Sequence, residues 1–314
     1  MSDEPIVQTI DVSHRFGGRV ALDRLNLAIP AATIFALLGP NGGGKTTLFR
    51  ILCTLLLPTE GTAKVAGADV VSQRALVRRR LGIVFQHPSL DKKLTVIENV
   101  VHQGYLYGLR GRGLQTRSRE ALARFDLLDR QNDRAETLSG GLQRRVEIAK
   151  SLLHDPRLLI LDEPSTGLDP GARADLMDVL RLLRDQHGVA SLLTTHLMDE
   201  AEKCDRVAIL DRGRLVAAGQ PAELKASVGG EVITVRTKDA DRFALQAREA
   251  LGVAASVVDS TVYIERDRGH EFVPTLIQAF PGQIESVTVG QPTLDDVFLK
   301  LTGHRLSQER GLAD

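Results

Sequence analysis

The run Gly39-Pro40-Asn41-Gly42-Gly43-Gly44-Lys45-Thr46-Thr47 constrains this chain more than any other segment. Glycine, four residues, then Gly-Lys-Thr is the spacing of a loop that wraps phosphate. It follows Ile34-Phe35-Ala36-Leu37-Leu38, an apolar run of buried-strand type, and precedes Leu48-Phe49-Arg50-Ile51-Leu52, which reads as a helix. Strand, loop and helix in that order gather backbone N–H groups and a positive helix end around one anion. The glycines let the backbone approach closely. In such a loop Lys45 bridges the β- and γ-phosphates and the Thr46 hydroxyl binds Mg²⁺. A chain organised around this segment is expected to be an α/β P-loop protein.

A second segment, Leu158-Leu159-Ile160-Leu161-Asp162-Glu163, is four apolar residues followed by two acids. Such a run fits a central strand of a parallel sheet, covered on both faces. The acids then emerge at its carboxyl end, where ligands sit in open α/β sheets. Asp162 can hold Mg²⁺ and Glu163 can polarise a water. Taken alone, the pattern equally describes a strand ending in solvated acids; behind a phosphate loop it points to nucleotide hydrolysis.

A third segment, Leu138-Ser139-Gly140-Gly141-Leu142-Gln143-Arg144-Arg145, precedes an amphipathic helix beginning near Val146. Ser139 is a good N-cap, and two glycines at a helix start make another anion nest. Between the other two motifs, this segment resembles the signature of the ATP-binding-cassette (ABC) ATPases. Further landmarks follow in that family's order. Phe16 resembles the aromatic that stacks on adenine, where tyrosine is more usual. Gln86 resembles the Q-loop glutamine, Ser165-Thr166-Gly167-Leu168-Asp169 the D-loop and His196 the switch histidine. Each alone could be a core, loop or strand-end residue; the set and its order carry the resemblance, over roughly residues 5–225. One departure is Leu142 in the fifth signature position, where Gln is commonest, with Gln143 sixth. That puts in doubt a polar contact from the fifth side chain to the ribose. It loosely resembles the daunorubicin-resistance type of bacterial exporter ATPase.

The resemblance implies an ATP hydrolase that drives a separate membrane permease, with ATP and Mg²⁺ as cofactors. Glu163, His196, Lys45 and Gln86 would be catalytic. Phe16 and Gly39 to Thr47 would bind nucleotide, and Thr46, Gln86 and Asp162 the metal. Ser139, Gly140, Gly141, Leu142 and Gln143 would close the partner's site in trans, beside the D-loop Asp169. One phosphate loop and one signature in a chain require a second copy, and a homodimer suffices. The loop His87 to Leu94 would seat the permease. Alternatives within the resemblance are a soluble non-transport ABC ATPase and the ATPase of an importer. The first usually carries two cassettes in one chain, and no second phosphate loop occurs here. A chromosome- or repair-type cassette would need a sustained coiled coil, which is absent.

Composition narrows the rest. Lys+Arg and Asp+Glu are equal at 40 each, which argues against nucleic acid as a main partner. Arg78-Arg79-Arg80 reads as a solvated helix end. The two cysteines, Cys53 and Cys204, have no metal-like spacing and suit a reducing cytoplasm. No apolar run approaches the ~18 residues of a membrane span, and the acidic N-terminus lacks a signal-peptide core. The chain is therefore expected in the cytoplasm, held at the inner membrane face through its permease.

The expected fold is an ABC cassette over 1–228, with a mixed sheet core, an antiparallel β meander over residues 6–35 and a helical subdomain over about 88–155. Gly229-Gly230 marks a boundary, beyond which residues 229–314 read as βαββαβ. That order is a small α+β ferredoxin-like accessory domain. A last helix, capped by Thr293, carries Leu294, Val297, Phe298 and Leu301 as an apolar stripe.

Overall fold

A computed structural model describes residues 4–306. The chain divides into two compact units, the first ending at Leu215 and the second beginning at Val216.

In the first unit the elements run β1 (Val7–Phe16), β2 (Arg19–Ile29), β3 (Ile34–Leu38), α1 (Lys45–Leu52), β4 (Glu60–Val65), β5 (Ala68–Asp69), α2 (Arg74–Arg80) and β6 (Leu81–Val84). Three helices follow, α3 (Val96–Leu106), α4 (Gly111–Ala123) and α5 (Gly140–Ser151). Then come β7 (Leu158–Asp162), α6 (Pro170–His187), β8 (Ala190–Thr195), α7 (Met198–Ala201), β9 (Arg206–Asp211) and β10, which begins at Arg214. The central sheet has the order β10-β9-β3-β8-β7-β6. Strands β9, β3, β8, β7 and β6 pair in parallel. Every residue of β3, β7 and β8 is buried, which is why these strands read as unbroken apolar runs. Their carboxyl ends carry the phosphate loop, Asp162-Glu163 and His196. Helix α1 anchors the loop by burying Leu48, Phe49, Ile51 and Leu52, in one core with Phe35, Leu37, Ile160 and Leu192. The three helices α3 to α5 fill the segment between β6 and β7, as the sequence predicts.

The meander is more than local. β1 pairs antiparallel with β2, Val7 opposite Ile29. Its other edge pairs with β4, Val7 opposite Val65. The four-stranded sheet β2-β1-β4-β5 is thus closed by a strand from beyond the phosphate loop. The β9–β10 turn has Arg212 at φ 47° and Gly213 at φ 77°, the all-positive turn that matches strand twist.

The second unit contains α8 (Pro221–Ala226), β11 (Glu231–Thr237), α9 (Ala240–Leu251), β12 (Ala255–Val258), β13 (Thr261–Arg266), α10 (Gly269–Ala279), β14 (Ile284–Gly290) and α11 (Leu294–Thr302). The sheet order is β12-β13-β11-β14, antiparallel throughout. Ile233, Val235, Val262 and Ile264 form one core with Phe243, Ala247, Phe272 and Leu276 of α9 and α10. Thr293 caps α11 in a capping box with Asp296. Leu294, Val297 and Phe298 are buried as the stripe requires. Leu301, however, is 46% exposed and Leu299 is buried instead. The contact face of α11 thus departs from the sequence expectation only at its C-terminal end.

Candidate functional site

The phosphate loop is shaped by positions only glycine fills. Gly42 and Gly44 have φ of 79° and 104°. A Cβ on Gly44 would lie 2.8 Å from the Ala21 carbonyl oxygen and 2.9 Å from Leu22. Gly44 is also the N-cap of α1 and supplies no side-chain cap. The first N–H groups of that helix are therefore left for an external acceptor. Lys45 is buried, and its ammonium donates to Gly39 O at 2.7 Å and Pro40 O at 2.8 Å. The side chain is thereby held across the mouth of its own loop.

The two acids behave differently. Asp162 Oδ1 accepts from Thr194 Oγ1 at 2.6 Å. Burial pushes this carboxyl above the ordinary aspartate range, against the Thr194 hydrogen bond and the Lys45 charge, which pull it down. Glu163 stands in the left-handed region at φ 42°. Its N–H donates to both oxygens of Thr194, at 3.1 and 3.0 Å. The turn aims its carboxylate outward. Oε2 accepts from Gln86 Nε2 at 3.3 Å and Thr166 Oγ1 at 3.2 Å. Oε1 lies 3.4 Å from His196 Nδ1. That ring nitrogen is buried and makes no hydrogen bond among the described residues.

Four sequence-separated motifs therefore converge. A cavity of about 600 Å³ is lined by Phe16, Arg19, Ala21, Asn41, Gly42, Gly44, Lys45, Thr46, Thr47, Gln86 and Glu163. Phe16 is 48% exposed, an aromatic face presented at the rim. Arg19 is absent from the sequence reading. It enters because it pairs with Phe16 across the two-residue Gly17-Gly18 turn of the β1–β2 hairpin, a local turn signal that says nothing of the cavity beside it. Thr194 is likewise missed; within a strand it reads as one more β-branched residue. Thr46, Gln86 and Asp162 offer hard oxygen donors of the kind Mg²⁺ takes.

The signature residues do not line this cavity. Ser139 caps α5, accepting from Leu142 N at 3.4 Å. With Gly140, Gly141, Leu142 and Asp169 it lines a second concavity of about 440 Å³, between the starts of α5 and α6. Asp169 accepts from Ala172 N at 2.9 Å as the N-cap of α6. Gln143 turns away: its amide donates to Ala135 O at 3.1 Å and Leu138 O at 3.0 Å. It braces the approach to the helix within its own chain, and the trans contact expected of it does not fit this placement.

Comparison with known proteins agrees with this architecture. A family model described as "ABC transporter" matches residues 22–166. The chain is 40% identical over 307 residues to the daunorubicin/doxorubicin resistance ATP-binding protein DrrA of Streptomyces peucetius, covering 95% of this chain and 92% of the relative. It is 36% identical to the Nod factor export ATP-binding protein I of Rhizobium johnstonii, covering 95% and 94%. Among solved structures, cbiO1 of Clostridium perfringens, part of the ABC transporter complex cbiONQ, superposes with a TM-score of 0.67 at 27% identity, over 79% of this chain and 96% of that one. The ATP-binding cassette MJ0796, solved as a dimer with ADP and phosphate, superposes with a TM-score of 0.61 at 28% identity, over 68% and 98%. With a phosphate loop, paired strand-end acids and full-length relatives of this kind, the chain belongs to the ABC transporter family, as an ATP-binding and ATP-hydrolysing cassette.

Proposed function

We propose that this chain is the ATPase of an efflux system. Two copies would form a head-to-tail dimer on the cytoplasmic face of a separate membrane permease. The observation that carries the dimer is the separation of the two concavities: phosphate loop and acids line one, Ser139 and Gly141 the other. Each is half of a site, and a second copy completes both. Export is supported by the roles of the full-length relatives, drug resistance and Nod factor export.

In this reading ATP lies with adenine against Phe16 and its phosphates on the loop. Lys45 exchanges its two carbonyl acceptors for phosphate oxygens. Thr46, Asp162 and Gln86 would hold Mg²⁺, which would supply charge neutralisation for the phosphates. Glu163 takes a proton from the attacking water. His196, at the carboxyl end of β8, holds the γ-phosphate, and the partner subunit's Ser139 and Gly141 N–H groups face the same group. The second unit, with its βαββαβ order, would be a ferredoxin-like accessory domain that folds separately.

Mixing two inactive variants tests the arrangement. Ser139→Ala and Glu163→Gln lesions fall in one site of a mixed dimer and leave the other intact. Mixed subunits are expected to recover part of the lost turnover. Mixed dimers that form yet release no phosphate would refute the trans arrangement.

A further inference from the structure

Arg144, Glu147 and Lys150 follow one another at helical spacing along α5, and they are only 6%, 1% and 8% exposed. Buried charges persist where partners satisfy them. Here all three act on one short segment, Phe85 to Ser89. Arg144 Nη1 donates to Phe85 O at 2.7 Å and Nη2 to Gln86 O at 3.2 Å. Arg144 also pairs with Glu147 Oε2 at 2.9 Å. Glu147 Oε1 accepts from Ser89 N at 2.5 Å and Ser89 Oγ at 3.1 Å. Lys150 Nζ donates to Ser89 O and Ser89 Oγ, both at 2.8 Å. Backbone atoms at both ends of the Gln86 loop are thus gripped by the helix that starts at Ser139.

We infer that Arg144, Glu147 and Lys150 are a clamp that makes the Gln86 loop and the signature helix one mechanical piece. A displacement of Gln86 at the ATP cavity is thereby carried to the Ser139 end that meets the partner. The inference rests on the trans reading above. Glu147 and Lys150 are positioning residues: neither lines either concavity. Helix α5 also packs against β6, the strand that leads to Gln86, and the clamp adds direct hydrogen bonds to the loop itself. Burial draws the Lys150 ammonium below its ordinary range, while the Glu147 charge opposes that shift.

The test uses the full chain carrying Glu163→Gln, with ATP and Mg²⁺, followed by sedimentation. Lys150→Met keeps the stem and removes both hydrogen bonds to Ser89. It is expected to leave ATP affinity of the monomer within about twofold. It should weaken ATP-driven dimerisation about tenfold or more, the scale of one lost charged hydrogen bond. Adding Gln86→Ala should then weaken dimerisation no further than the worse single change, because the Gln86 side chain supplies the displacement that the clamp carries and either change interrupts that one route. Glu147→Gln, which keeps the side-chain shape, takes the place of Lys150→Met if that variant does not fold. A parent that dimerises with ATP, and a clamp variant that does so equally well or whose losses add to those of Gln86→Ala, would overturn the clamp alone. A parent that stays monomeric overturns the clamp and the trans reading together.

Discussion

Gln86 and Glu163, far apart in sequence, meet with Nε2 donating to Oε2 at 3.3 Å. The acid that would activate water is thus held by the loop that follows β6, and its position is tied to whatever Gln86 contacts.

Glu163→Gln preserves the shape of that contact, because its amide oxygen still accepts from Gln86. ATP binding should be unchanged. Phosphate release should fall by about 10²–10⁴, the usual contribution of a general base. The variant should also accumulate as an ATP-bound dimer in size-exclusion chromatography. Turnover near that of the parent would remove Glu163 as the base.

Lys45→Ala removes an ammonium that bridges two loop carbonyls and, in the proposed complex, two phosphates. Calorimetry should find ATP affinity lower by ~1.5–3 kcal/mol. The ligand-free protein should also melt earlier, since the Gly39 and Pro40 carbonyls lose their donor. Unchanged affinity would contradict the assignment of the loop.

Asp162 should link stability to pH. Its folded-state pKa is raised by burial above the ordinary 3.8. Between those two values the folded chain therefore binds more protons than the unfolded one. Stability then falls as pH rises through that window and levels off above it. Asp162→Asn keeps the Thr194 hydrogen bond and removes the titration. Without nucleotide it should melt higher than the parent at neutral pH, with a flatter acid-side profile, while hydrolysis is lost. A lower melting temperature at neutral pH would show that the carboxylate is net stabilising there.

Phe298→Asp places a charge at a fully buried position of α11. The expected loss is about 3 kcal/mol or more, confined to the second unit. Limited proteolysis should cut beyond Val216 while calorimetry still detects ATP binding. Loss of ATP binding in the same variant would show that the two units do not fold independently.

The motifs that lie within one strand-turn-helix were legible because each is local: glycine spacing, an apolar run, a cap. The pairing of β1 with β4, and the entry of Arg19 into the cavity, depend on residues brought together across the chain, which periodicity does not encode. The burial of Arg144, Glu147 and Lys150 is not legible, because sequence shows their charge but not the backbone partners that allow them to be buried. Arg78 and Arg79 are exposed, as a solvated end requires, and the sequence leaves out only that Arg78 donates to Thr54 Oγ1 at 2.8 Å and the half-buried Arg80 to Ala66 O at 2.6 Å. On α11 the apolar stripe is legible at Leu294, Val297 and Phe298 and fails only at Leu301. Leu299 and Leu301 are both available to a helix, and only the packed neighbours choose between them.

In the proposed dimer the separation of the two concavities would also set a rate law. A chain that carries half of each site would be idle when alone, and the active species would form in a bimolecular step. Specific activity would then fall on dilution below the dimer dissociation constant, and a permease that binds two copies would act by raising their local concentration. Because each complete site borrows from both subunits, nucleotide at one cavity would favour occupancy of the other.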